Sequence, residues 1–156
     1  MAEDARGDAP GHRSLRAGRE SVAGEWYAIT TRAAGFDLRR VGKEIIAVAQ
    51  EIETEGFIDL YCIVVMPDHC HLLFALRDGA DLGGVMMRFK GRAPRRANET
   101  LSREGVLWQR AYYDRLLRSE DEARAQHWYL LDNPVRRGLA DTVDAYPWTH
   151  SRQFDE

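Results

Sequence analysis

Only two cysteines, Cys62 and Cys70, occur in 156 residues. Two thiols cannot form the framework of a disulfide-stapled fold, so a reducing compartment is the default. No apolar run approaches the roughly 20 residues of a membrane helix. The first residues lack the apolar core of a secretory leader, which predicts a cytoplasmic protein. Large apolar side chains are nearly absent from residues 1–21, which are rich in Gly, Ala, Arg, Asp and Glu. That stretch reads as a disordered arm, leaving residues 22–156 as one domain with a packed C-terminal tail. There is no internal repeat, and no excess of positive charge in the chain as a whole: the net charge is −3. The balance by itself gives no hint of a nucleic-acid partner.

What is present centres on residues 57–76, FIDLYCIVVMPDHCHLLFAL. Ile58, Leu60, Ile63, Val64 and Val65 suit a strand covered on both faces. Met66-Pro67-Asp68 interrupts the run, because proline removes a ladder donor. A second strand opens with His69-Cys70-His71. Alternate residues of a strand share a face, so the two imidazoles lie side by side and Cys70 points away. Such a pair can chelate one divalent ion, although two histidines near a strand end are also commonly just half-exposed polar residues.

The remaining elements follow from pattern. Residues 26–32, WYAITTR, read as a first strand. Residues 38–55 read as a helix, with Val41, Ile45, Val48, Ala49 and Ile52 at helical spacing and Gly56 just past its end. Asp81 is a candidate N-cap for a helix over 82–98, in which Pro94 predicts a kink or break near Ala93. Residues 106–117 give a loop and strand. Ser119 precedes Glu120, Asp121 and Glu122, the start signal of a third helix running to about residue 132 and ending at Asn133-Pro134. Leu139, Tyr146 and Trp148 are expected to pack the tail onto the domain. The order β-α-β-β-α-β with a further helix predicts an α+β, ferredoxin-like antiparallel sheet.

Charge is unevenly spread. Residues 84–118 hold nine Lys and Arg against three Asp and Glu, a local +6 that leaves −9 for the rest. This is a candidate polyanion surface, in which Arg88, Lys90, Arg92, Arg95, Arg96, Arg110 and Arg115 would contact phosphates. Trp108 and Tyr112 would stack on unpaired bases, unless they belong to the core. In the third helix, Tyr129 and Asn133 are four apart and share a face. A nucleophile and a metal ligand one turn away could reach one ion there. Equally, a tyrosine near a helix end packs, and Asn before Pro terminates helices. His127 reads as a surface histidine.

The ordered set WYAITTR, MPDHCHLLF, FKGRAPRRAN, LWQRAYYDRLLRSEDE and YLLDNPVRRGL resembles the REP-associated tyrosine transposases, members of the single-tyrosine HUH superfamily (His, hydrophobic, His). Cys70 stands where the family usually has an aliphatic residue. The resemblance implies Tyr129 as nucleophile, with His69, His71 and Asn133 holding Mg2+ or Mn2+. It implies cleavage and transfer of single-stranded hairpin DNA from palindromic repeats through a 5′-phosphotyrosine link. A monomer is implied, a dimer being the alternative. The competing readings are a domesticated hairpin-binding module that cuts poorly and a metal-binding protein unrelated to DNA.

Overall fold

The computed structural model describes residues 24–154; the expected N-terminal arm, residues 1–21, lies outside the described residues. Strand β1 (Trp26–Ala33) leads into helix α1 (Leu38–Thr54). Gly56, at φ +94°, takes the left-handed position that ends the helical segment. The chain then enters β2 (Ile58–Met66) and, after the Pro67-Asp68 turn, β3 (His69–Leu76). Helix α2 (Leu82–Leu101) starts where Asp81 accepts the Gly84 N–H at 2.7 Å. Strand β4 is Trp108–Leu117. Helix α3 (Glu120–Leu131) is capped by Ser119, whose hydroxyl accepts the Glu122 N–H at 3.1 Å. A single residue, Asp132, separates it from the short α4 (Asn133–Arg136). The tail ends in β5 (Thr149–Ser151).

The five strands form one antiparallel sheet in the order β4-β1-β3-β2-β5. Its inner four follow the ferredoxin-like order predicted from β-α-β-β-α-β, and β5 extends the β2 edge. Two features differ from the sequence reading. Pro94 does not break α2, which runs three residues further than predicted; Ala93 and Ala97, both buried, anchor the helix on either side of it. Leu139 is 45% exposed instead of packed. Tyr146 does the anchoring, with its hydroxyl donating to the Val65 carbonyl at 2.7 Å. Trp148 lies so close over Gly42 of α1 that any added Cβ would collide with the indole.

Strand alternation divides the interior. Tyr27, Ile29, Cys70, Leu72 and Phe74 face α1 and α2, which supply Val41, Ile45, Ile52, Val85 and Phe89. Ala28, Cys62, Val64 and Leu73 face the opposite side, where α3 lays Ala123, Leu130 and Leu131 over the sheet. By the same alternation, His69 and His71 lie on the α3 side.

Candidate active site

β3 begins at His69, and both imidazoles occupy the end of the sheet next to the turn. Their rings meet edge to face, with centroids 4.7 Å apart. Each ring is oriented by a hydrogen bond at Nδ1. For His69 the partner is the Asp68 carboxylate, 2.8 Å away. For His71 it is the Thr30 hydroxyl, 3.0 Å away on the neighbouring strand; Thr30 stands directly across from His71 in the β1–β3 register. An Nδ1–H donated to an oxygen leaves Nε2 as the lone-pair nitrogen.

The third group arrives from α4. Asn133 Nδ2 lies 2.9 Å from His71 Nε2. The near-continuous helical path from α3 into α4 carries it there: Asp132 N–H still bonds the Trp128 carbonyl at 3.0 Å, and Arg137 N–H that of Asn133 at 3.0 Å. Tyr129 sits one turn before Asn133 and is 37% exposed. Its ring lies under the Arg136 guanidinium, 3.9 Å from the centroid, and its carbonyl accepts from Arg136 Nη2 at 2.9 Å. Arg136 is also paired with Asp132 at 2.9 Å.

Electrostatics keep the imidazoles uncharged. Burial, then His69 and the arginines Arg137, Arg32 and Arg136, hold His71 well below the usual histidine range. Burial also lowers His69, against the opposing pull of Asp68. The Asp68 carboxyl is held down mainly by its hydrogen bond from His69. Two neutral imidazoles and an adjacent amide are a donor set that fits a divalent cation. The amide would bind through Oδ1, which replaces Nδ2 when the side chain turns over.

The structure brings His69, His71 and Asn133 together, but not the residues proposed to touch DNA. Trp108 is 6% exposed, between Phe36 and Phe89, so its ring belongs to the core and is not offered to a base. Tyr112 is half-buried against the same cluster. α2 lies across the sheet from the histidines. There Arg92 forms a two-point pair with Glu55 at 2.9 Å, and Arg96 pairs with Glu51. Arg88 lies over Phe57 at 3.9 Å. The Lys90 ammonium, which burial lowers to about 8, donates to the carbonyls of Gln109 and Ala111 at 2.9 and 3.2 Å. The +6 of residues 84–118 is thus partly spent inside the fold. Arg95 and Arg110 are exposed. Arg115 contacts Gln126 of α3 at 3.1 Å. His127 is buried, not superficial, with Nε2 3.3 Å from the Tyr61 carbonyl.

Sequence reasoning missed Thr30, Arg32 and Arg137. Their signal is positional: Thr30 and Arg32 are the β1 residues opposite His71 and His69, which is visible only once the strand register is known. Arg137 lines a cleft of about 440 Å3 with Gly35, Pro67, Asp68 and His69.

The family model described as "Transposase IS200 like" matches residues 27–130, which include both histidines and Tyr129. The chain belongs to the IS200-like transposases. This IS200-like chain is 27% identical over 97 residues to a Haemophilus influenzae protein provisionally named a REP-associated tyrosine transposase. The match takes in 56% of the chain and 55% of that protein, so the chain spans about half the length of the curated relative it matches. Its fold is that of a solved REP-associated tyrosine transposase bound to a REP hairpin. The TM-score is 0.69 at 18% identity, covering 84% of this chain and 79% of the other.

Proposed function

We propose that this IS200-like transposase is a metal-dependent single-stranded DNA endonuclease and strand transferase acting on hairpin DNA, with Tyr129 as its nucleophile. The observation that carries this reading is the 2.9 Å approach of Asn133 to His71 Nε2. It ties the tyrosine helix to the histidine strand at the atom left free for a metal. His69, His71 and Asn133 would hold Mg2+ or Mn2+. When bound, the ion supplies charge neutralisation at a phosphodiester that otherwise repels nucleophiles. Asp68 and Thr30 fix the imidazole tautomers, and Asn133 sets the turn of helix on which Tyr129 stands. The Tyr129 oxygen attacks phosphorus and the bond from phosphorus to the 3′ oxygen breaks. The phenolic proton passes to solvent and the departing 3′ oxygen takes one up. The products are a 5′-phosphotyrosine link and a free 3′-OH, and reversal by a 3′-OH rejoins the strand without an energy source.

The hairpin substrate is inferred from the structural relative, which holds one. The test incubates the protein and Mn2+ with a labelled single strand carrying a palindromic-repeat hairpin, and with its full duplex. A covalent adduct is expected with the single strand only, and is expected to vanish in Tyr129→Phe while hairpin binding persists. An adduct surviving in Tyr129→Phe moves the role to another tyrosine. Binding without any adduct leaves a hairpin-binding module.

A further inference from the structure

We propose that Arg32 and Arg137 form an anion pocket beside the histidine pair that seats the scissile phosphodiester. This rests on the function proposed above, and it assigns the positioning of the substrate phosphate to two side chains outside the metal-ligating set. Arg32 is the β1 residue directly across from His69. Non-diagonal cross-strand neighbours on one face stand with Cβ atoms about 4.5–5.5 Å apart. Arg137 comes from the other side, at the end of α4, and shares with His69 the cleft that opens on the turn. Two arginines carried by different elements therefore flank one end of the imidazole pair, Arg32 on the neighbouring strand and Arg137 in the cleft.

Neither is held in a direct ion pair among the described residues. Arg136, next in sequence to Arg137, is spoken for by Asp132 and the Tyr129 carbonyl. By contrast, the guanidinium groups of Arg32 and Arg137 make no hydrogen bond or ion pair among the described residues; Arg32 only lies 5.8 Å from the Tyr113 ring. The nearby carboxylate, Asp68, hydrogen-bonds His69 Nδ1 and attracts both arginines at longer range, so one negative charge faces two positive ones. The net positive charge that remains beside a cation-binding donor set disfavours the cation until a further anion joins them. A phosphodiester oxygen supplies that anion. Arginine suits the task, because its planar fork meets phosphate oxygens with two parallel donors.

The test first maps the cleaved linkage from the wild-type adduct. Binding is then measured in the Tyr129→Phe background with two probes. One is the all-phosphate hairpin strand. The other carries a single uncharged methylphosphonate at the mapped linkage. Arg137→Gln and Arg32→Gln are each expected to weaken the phosphate probe roughly tenfold and to leave the methylphosphonate probe unchanged. Arg137→Lys should recover part of the loss. Equal loss on both probes, or no loss on either, overturns the pocket while the proposed function stands. Absence of any adduct from the wild-type protein overturns both. A thermal unfolding curve for each variant separates misfolding, which weakens both probes alike, from loss of a phosphate contact.

Discussion

One sheet presents two faces that treat charge in opposite ways. On the α1–α2 face the apolar cluster is continuous and deep. The basic side chains of α2 either pair with the carboxylates of α1, as Arg92 does with Glu55 and Arg96 with Glu51, or cover apolar rings, as Arg88 covers Phe57. On the α3 face the apolar cluster is smaller, and at its open end stand the two imidazoles with Arg32 and Arg137 beside them, neither in a direct ion pair among the described residues. Part of a dense basic stretch of sequence, Arg88, Lys90, Arg92 and Arg96, became scaffold. Two arginines scattered elsewhere became the electropositive surface at the site. Linear charge density therefore locates a binding face only after the charges of the packing partner are subtracted.

The largest effect that sharpens this contrast comes from removing the imidazoles. His69→Ala with His71→Ala should reduce divalent-dependent adduct formation by roughly a thousandfold or more, about 4 kcal/mol of barrier, with little change in the unfolding midpoint. Phe89→Ala on the other face should do the reverse. It deletes a fully buried ring and should cost about 3–5 kcal/mol of stability, while the molecules that remain folded form adduct at the normal rate. Paired adduct assays and urea unfolding curves read both. A histidine variant that unfolds, or a Phe89 variant that is folded but inactive, breaks the division between the faces.

Thr30→Val comes next in size. Valine keeps the β-branched shape in β1 but removes the oxygen that meets His71 Nδ1 at 3.0 Å. Loss of such an orienting partner typically lowers metal affinity about 10- to 100-fold. The expected result is a higher Mn2+ concentration for half-maximal adduct, with the plateau at saturating metal largely retained. An unchanged metal titration would mean that the tautomer of His71 is set elsewhere.

Thr30 also shows what the sequence could and could not reveal. Period-two alternation placed His69 and His71 on one face, and period 3.6 placed Tyr129 and Asn133 on one helix surface, because both are local geometries. Caps at Asp81 and Ser119 were legible for the same reason. Which β1 residues would face the histidines depends on register between strands some forty residues apart, and no local pattern encodes that. For Trp108 the sequence left stacking surface and core both open, because aromatic residues at a strand start look the same whether the next layer is solvent or Phe89; burial against Phe89 decides for the core. The pairing of Arg92 was not legible because its partner, Glu55, lies beyond the end of a different helix. Pro94 was overweighted as a breaker; flanking burial at Ala93 and Ala97 outweighed the lost donor.

A smaller, graded effect is expected with pH. Burial lowers the folded-state pKa of His69, His71 and His127 below the ordinary histidine value of about 6.5. As pH falls through about 6.5 the unfolded chain takes up protons before the folded one does, so stability is full above that pH and declines below it. The urea midpoint of the metal-free protein should drop on going from about pH 7 to pH 5. Because the folded imidazoles stay neutral to lower pH, the acid limb of adduct formation should lie below about 6.5. His127→Gln should reduce the stability slope without moving that limb, since His127 faces the Tyr61 carbonyl and Phe154 and not the paired histidines. An acid limb above 6.5 would show that the imidazoles are not held neutral.

The smallest effect belongs to Arg92. Its guanidinium is matched by Glu55 and lies on the face away from the histidines. Partly exposed ion pairs contribute about 0–1 kcal/mol, so Arg92→Ala should shift stability by no more than that. Single-stranded DNA affinity falls with salt at a slope of roughly −0.7 per phosphate neutralised. If Arg92 serves the scaffold, removing it leaves that slope unchanged, and Glu55→Gln leaves it unchanged as well. Arg137→Gln should make it shallower by about 0.7, one phosphate's worth. Salt titrations of hairpin binding by the three variants place the DNA on one face of the sheet or the other. A loss of about 0.7 in Arg92→Ala with none in Arg137→Gln would reverse the assignment, putting the strand along α2 and leaving the arginines beside His69 without a phosphate to hold.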